Sequence, residues 1–113
     1  MEGKLKKLGR PKKERKIQKK PKIMFFSPRG RPGRPEEVDL SIDEYEALRI
    51  ADYERHDQSK GAELLGLSRA SFGRLLRDAR RKIADALVNG KIIRISEIHT
   101  PFKYFEGSIP ISV

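Results

Sequence analysis

The three residues Gly66-Leu67-Ser68 constrain the chain most, because they separate two segments whose apolar residues both recur at helical spacing. Ahead of them, Ala62 and Leu65 share a face, and Asp57 stands where a cap would open a helix at Gln58. Beyond them, Ser68 caps a longer segment in which Phe72, Leu75, Leu76, Ala79, Ile83, Ala86 and Leu87 form one apolar stripe ending at Asn89-Gly90. Gly66 tolerates the left-handed conformation that stops a helix sharply, Leu67 plugs the corner, and Ala62 is small where two helices approach. The pattern over Gln58–Arg74 predicts a helix-turn-helix, with helices at about 58–65 and 68–89.

A further helix precedes this pair, at about 41–53. Ser41 and Glu44 form a capping box with Leu40 as its staple residue, and Ile42, Tyr45, Leu48 and Ala51 follow helical spacing. The expected fold is an all-α core: a three-helix helix-turn-helix domain, flanked by short extended or β segments and preceded by a disordered basic arm. Residues 1–22 are the arm, 23–95 the domain and 96–113 a C-terminal extension. Ile23–Phe26 and Ile92, Ile93 and Ile95 are the strand candidates, and SPRGRPGRP at 27–35 reads as a loop. With 36% hydrophobic residues in 113, only about 60 residues are expected to be compact.

Charge is ordered along the chain. Residues 1–35 carry a net +12, residues 36–67 a net −7 and residues 68–89 a net +4, for +10 overall. A basic arm and a basic late helix therefore flank an acidic middle, which points to an anionic partner, nucleic acid before a membrane surface. There is no cysteine, so disulfides, thiolate metal sites and thiol nucleophiles are excluded. No apolar run approaches the roughly 18 residues that span a bilayer. The basic start is followed by no apolar stretch of a secretory signal, and the expected location is cytoplasmic. His56 and His99 are isolated, and no Ser, His and Asp are arranged as nucleophile, base and orienter. No enzyme, metal or cofactor is expected.

If Phe72, Leu76, Ala79 and Ile83 face the core, the last helix turns outward Arg69, Ala70, Gly73, Arg74 and Arg77, with Arg80 and Arg81 towards the flanks. The first residues of such a helix enter the major groove, where guanidinium groups pair with guanine O6 and N7 and a methyl meets thymine. Arg69, Ala70 and Arg74 are the base-reading candidates. Ser68 and Ser71, at the helix N-terminus, with Arg77, Arg81, Lys12 and Lys13, are the phosphate-binding candidates. Gly73 costs about 1 kcal/mol in a helix interior, and its missing side chain would allow close approach to a duplex. The competing reading is a solvated arginine face with an inert basic tail. Pro28-Arg29-Gly30-Arg31-Pro32, followed by Gly33-Arg34-Pro35, looks like an AT-hook core. Arg29, Gly30, Arg31 and Arg34 are thus minor-groove candidates, or part of a loop that only spaces and neutralises.

The stretch from about Phe25 to Ile95 resembles the domain of unknown function 134, a family of small prokaryotic proteins. The matching pieces are PRG at 28–30, EALRIAD at 46–52, GLSRASFGRLLRDARRKIADAL at 66–87 and NGKIIRI at 89–95. His56 stands where the family usually has an apolar residue, and Gly61 where it usually has alanine. The resemblance implies a helix-turn-helix similar to region four of sigma factors, with bases read from the positions of Arg69, Ala70 and Arg74. The expected function is sequence-specific binding of double-stranded DNA in transcription regulation. The alternatives are an RNA-binding or ribosome-associated basic protein, and a sigma-like module that docks on RNA polymerase through the acidic residues 36–63. A homodimer through residues after Gly90 would lengthen the few base pairs that one helix-turn-helix reads.

Overall fold

The computed structural model describes residues 14–97 and 101–104. Lys12, Lys13, His99 and most of the expected C-terminal extension lie outside the described residues. The elements run β1 (Arg15–Ile17), β2 (Phe25–Phe26), β3 (Glu37–Ser41), α1 (Ile42–Leu48), α2 (Gln58–Leu65), α3 (Arg69–Asn89), β4 (Ile92–Ser96) and β5 (Phe102–Tyr104). α1 continues directly into a π-helical segment, Arg49–Tyr53, in which the Glu54 N–H bonds the Arg49 carbonyl at 2.8 Å.

Each helix start is built by its own cap. Ser41 accepts from the Glu44 N–H while the Glu44 carboxylate accepts from the Ser41 N–H, the reciprocal box. Asp57 accepts from the Lys60 N–H at 2.8 Å, and Ser68 from the Ser71 N–H at 3.1 Å. Gly66 and Gly90 close α2 and α3 at φ 77° and 64°, the left-handed region where a side chain would be strained.

The expected all-α core is overturned. Among the described residues five strands form two sheets, so the fold is mixed α/β. β4 is central in the larger sheet, antiparallel to β2 and parallel to β3, with Leu40 opposite Ile95 and Val38 opposite Ile93. β1 and β5 form a parallel pair with Ile17 opposite Tyr104. One apolar cluster sits among the helices: Ala47, Ile50, Ala62, Leu65, Phe72 and Leu76, with Leu67 packed on it at the corner. The second joins sheets and helices through Ile17, Leu40, Ile42, Ala79 and Ile95. The physical reason is the length of the α3 stripe. Its first half is covered by α1 and α2, whereas Ala79 and Ile83 pack against α1 and against strands brought from distant parts of the chain.

The disordered arm needs the same correction over its described part. Ile17 is fully buried, Pro21 is buried, and Arg15 pairs with the buried Asp43 at 3.0 Å. Leu87, expected in the core, is 76% exposed: in that turn Ala86 takes the buried side, at 4% exposure, and Leu87 faces away from it. No helix among the described residues is long and apolar enough to cross a membrane.

Candidate nucleic-acid interface

The expected reading face is assembled by the first turns of α3 and the start of α2. Ser68, Arg69, Ala70, Arg74 and Arg77 are exposed, and Gln58, Arg69, Ala70, Gly73, Arg74 and Arg77 line one shallow depression. Phe72 and Leu76, on the opposite side of α3, are buried, and this anchoring fixes which residues face out. A Cβ on Gly73 would lie 3.3 Å from Gln58 Oε1, so the glycine lets the Gln58 amide lie over the helix backbone. Gln58 was absent from the expected site because it belongs to the preceding helix, and no spacing rule links it to Arg74.

The arginines on this face differ from those elsewhere. The side chains of Arg69 and Arg77 make no hydrogen bond or ion pair with the described residues, and that of Arg74 reaches only the Ser71 hydroxyl, at 3.4 Å. By contrast, Arg80 forms a two-point pair with Asp52 (3.1 and 2.8 Å) that ties α3 to the π-helical segment. That hydrogen bond, partly opposed by burial, lowers the Asp52 pKa. Arg81 is exposed and acts on Asp85 only through its charge, Lys82 bonds Glu44 at 2.8 Å, and Arg94 pairs with Glu37.

The glycine-arginine loop sits elsewhere. Arg31 donates to the Asn89 carbonyl at 3.1 Å, where a cation complements the negative end of α3. A Cβ on Gly90 would stand 2.8 Å from Arg31 Nη1, so that glycine also admits the arginine. Arg34 lines the same small pocket with Asn89 and Lys91, while Arg29 and Gly30 are exposed. α3 has 21 residues, so this loop stands about 30 Å from Arg69. The structure does not bring the two sets of expected contacts together.

A second feature lay hidden in the sequence. Glu46 is fully buried, and its carboxylate accepts from Arg49 Nε and Nη2 (both 2.8 Å) and from the backbone N–H groups of Gln18 (2.7 Å) and Lys19 (3.3 Å). Burial disfavours the Arg49 charge, but the bond and charge of Glu46 outweigh it and raise the Arg49 pKa. The Gln18 side chain continues the tether to the Leu64 carbonyl at 3.1 Å. Only the spacing of Glu46 and Arg49, three apart on a helix, hinted at the pair.

Two helices joined through a left-handed glycine, an exposed basic face and a small mixed sheet behind them define the class: a small protein of mixed α/β build. The chain belongs to the family described as protein of unknown function DUF134, which matches residues 5–98. A UPF0251 protein from Prosthecochloris aestuarii is 48% identical over 88 residues, 77% of this chain and 57% of that protein. Another, from Methanococcus maripaludis, is 44% identical over 88 residues, 77% of this chain and 68% of the relative. A third, from Desulfosudis oleivorans, is 46% identical over 89 residues, 78% and 64% respectively. The chain thus spans only part of these relatives, little more than half of the first. No solved structure matches.

Proposed function

We propose that the protein binds double-stranded DNA in a sequence-specific manner and regulates transcription. Its helix-turn-helix would work as region four of sigma factors does, with the start of α3 in the major groove. One observation carries the reading: Arg69, Arg74 and Arg77 surround Ala70 and Gly73 on an exposed face without a carboxylate partner among the described residues, while Arg49, Arg80 and Arg94 are paired. Unpaired guanidinium groups held by a capped helix suit guanine edges and phosphates. In this reading Arg69 and Arg74 read bases and Ala70 offers its methyl. Ser68, Ser71 and the α3 N-terminus meet one phosphate, and Arg77 and Arg81 meet others.

In vitro selection from random duplexes tests the proposal. The expected result is an enriched motif on which Arg74→Ala costs about 1–3 kcal/mol and relaxes selectivity at one position. Equal losses on selected and random duplexes would contradict base reading. Tighter binding of structured RNA than of the selected duplex would overturn the choice of nucleic acid.

A further inference from the structure

A larger concavity lies away from the arginine face. It is an open groove of about 860 Å³, walled by α1 and its π-helical continuation on one side and by the residues that follow β1 on the other. Its apolar floor comes from four different elements: Leu40 of β3, Tyr45 and Leu48 of α1, Ile83 of α3, and Ile93 and Ile95 of β4. Ile23 and Phe26 extend the apolar surface to the outer edge, where they are 54% and 50% exposed. The volume falls within the range of about 300–1,000 Å³ usual for small-ligand sites.

The rim is electrically one-sided. Lys19, Lys20 and Lys22 line one edge, all exposed, and their ammonium groups have no ion-pair partner among the described residues. The acids on the opposite edge are already neutralised, Asp52 by Arg80 and Glu54 by Arg49. The Tyr45 hydroxyl has no hydrogen-bond partner among the described residues, which leaves one polar handle at the apolar floor. An aliphatic floor, three unpaired cations on one edge and little else that is polar match an amphiphile with an anionic head.

We propose that this groove binds a free aliphatic carboxylate, its chain on the isoleucine and leucine floor and its head among Lys19, Lys20 and Lys22. The carboxylate is the head that lysine point charges hold without the forked geometry of arginine. The alkyl body is what the branched aliphatic floor accommodates through burial of apolar area. The site does not depend on the nucleic-acid reading, because none of its residues belongs to the Arg69–Arg77 face.

The test is calorimetric titration of the full chain with dodecanoate below its micelle concentration, in the absence of nucleic acid. Saturable one-to-one binding is expected, with dodecanol at least about tenfold weaker because it lacks the charged head. The double change Lys20→Glu, Lys22→Glu should weaken dodecanoate about tenfold and leave dodecanol within about twofold. Both lysines are exposed and unpaired, so an unchanged melting profile checks that the variant folds. Ile23→Glu, also at an exposed site, should abolish binding of both ligands. Absence of saturable binding, or equal binding of acid and alcohol that ignores the lysine reversal, would overturn the proposal. So would a dimer that Ile23→Glu dissociates, which makes the groove a contact between copies. Binding that arises only after removal of residues 105–113 would make those residues the occupant and overturn it as well.

Discussion

Replacing Glu46 with alanine should remove a large share of the stability, and the structure says where the loss arises. The carboxylate is fully buried and takes four hydrogen bonds, two from Arg49 and two from the backbone of Gln18 and Lys19. Removing one partner of a buried ion pair costs about 3–5 kcal/mol, because the remaining charge is stranded. Each orphaned amide adds about 1–3 kcal/mol if it stays dry. These terms do not add in full. Arg49 keeps Glu54 as a partner, and residues 18–19 can swing into water. A net loss of about 3–5 kcal/mol is therefore expected, against a total of about 5–15 kcal/mol for a domain of this kind. Equilibrium urea unfolding measures it, and amide hydrogen exchange at Gln18 and Lys19 localises it. The paired replacement Glu46→Met with Arg49→Met removes both charges and should recover at least about half the loss. A loss below about 1 kcal/mol, with Gln18 and Lys19 still protected, would refute the assignment of the carboxylate as the anchor of this segment.

Ile17→Ala should cost about 2–4 kcal/mol in thermal or urea unfolding, since the side chain is fully buried between the sheets and helices; a solvated arm would show no change. Gly66→Ala should lower stability by about 1–2 kcal/mol because φ is 77°, and Gly66→Asn should lose less. The Asp52 pKa is lowered in the folded state, so its contribution is present above the ordinary value of 3.8 and is lost as pH falls through the folded value. Arg80→Gln should accordingly flatten the acid limb of stability measured against pH, an effect kept small by the exposure of both groups.

The helical half of this fold is legible because its signals are local. Ser41, Asp57 and Ser68 announce their helices within a few residues, and Gly66 and Gly90 end theirs. The sheets are not legible for the opposite reason. β1 reads RKI, one apolar residue after an arginine and a lysine, and β3 reads EVDLS with only Leu40 buried. Nothing near either segment says that it will lie beside a strand more than 50 residues away, at Arg94 or Phe102. The arginine face follows from the helical period once Phe72 is taken as core. Gln58 does not, because its place over Gly73 depends on how two helices cross.

The parallel pairing of β3 with β4 has a mechanical consequence. All the helices among the described residues lie between these two strands in sequence, and the Ile92 N–H bonds the Glu36 carbonyl at 2.8 Å where the strands begin. Tension applied through the chain before β3 and after β4 would drag the neighbouring strands in opposite directions along their length. The ladder from Glu37–Ile92 to Ser41–Ser96 would then carry the load in shear, all its bonds together, rather than opening one at a time. Force reaching the protein from either side would spend itself on the sheet first, and the arginine-bearing helix would keep its shape until that ladder gave way.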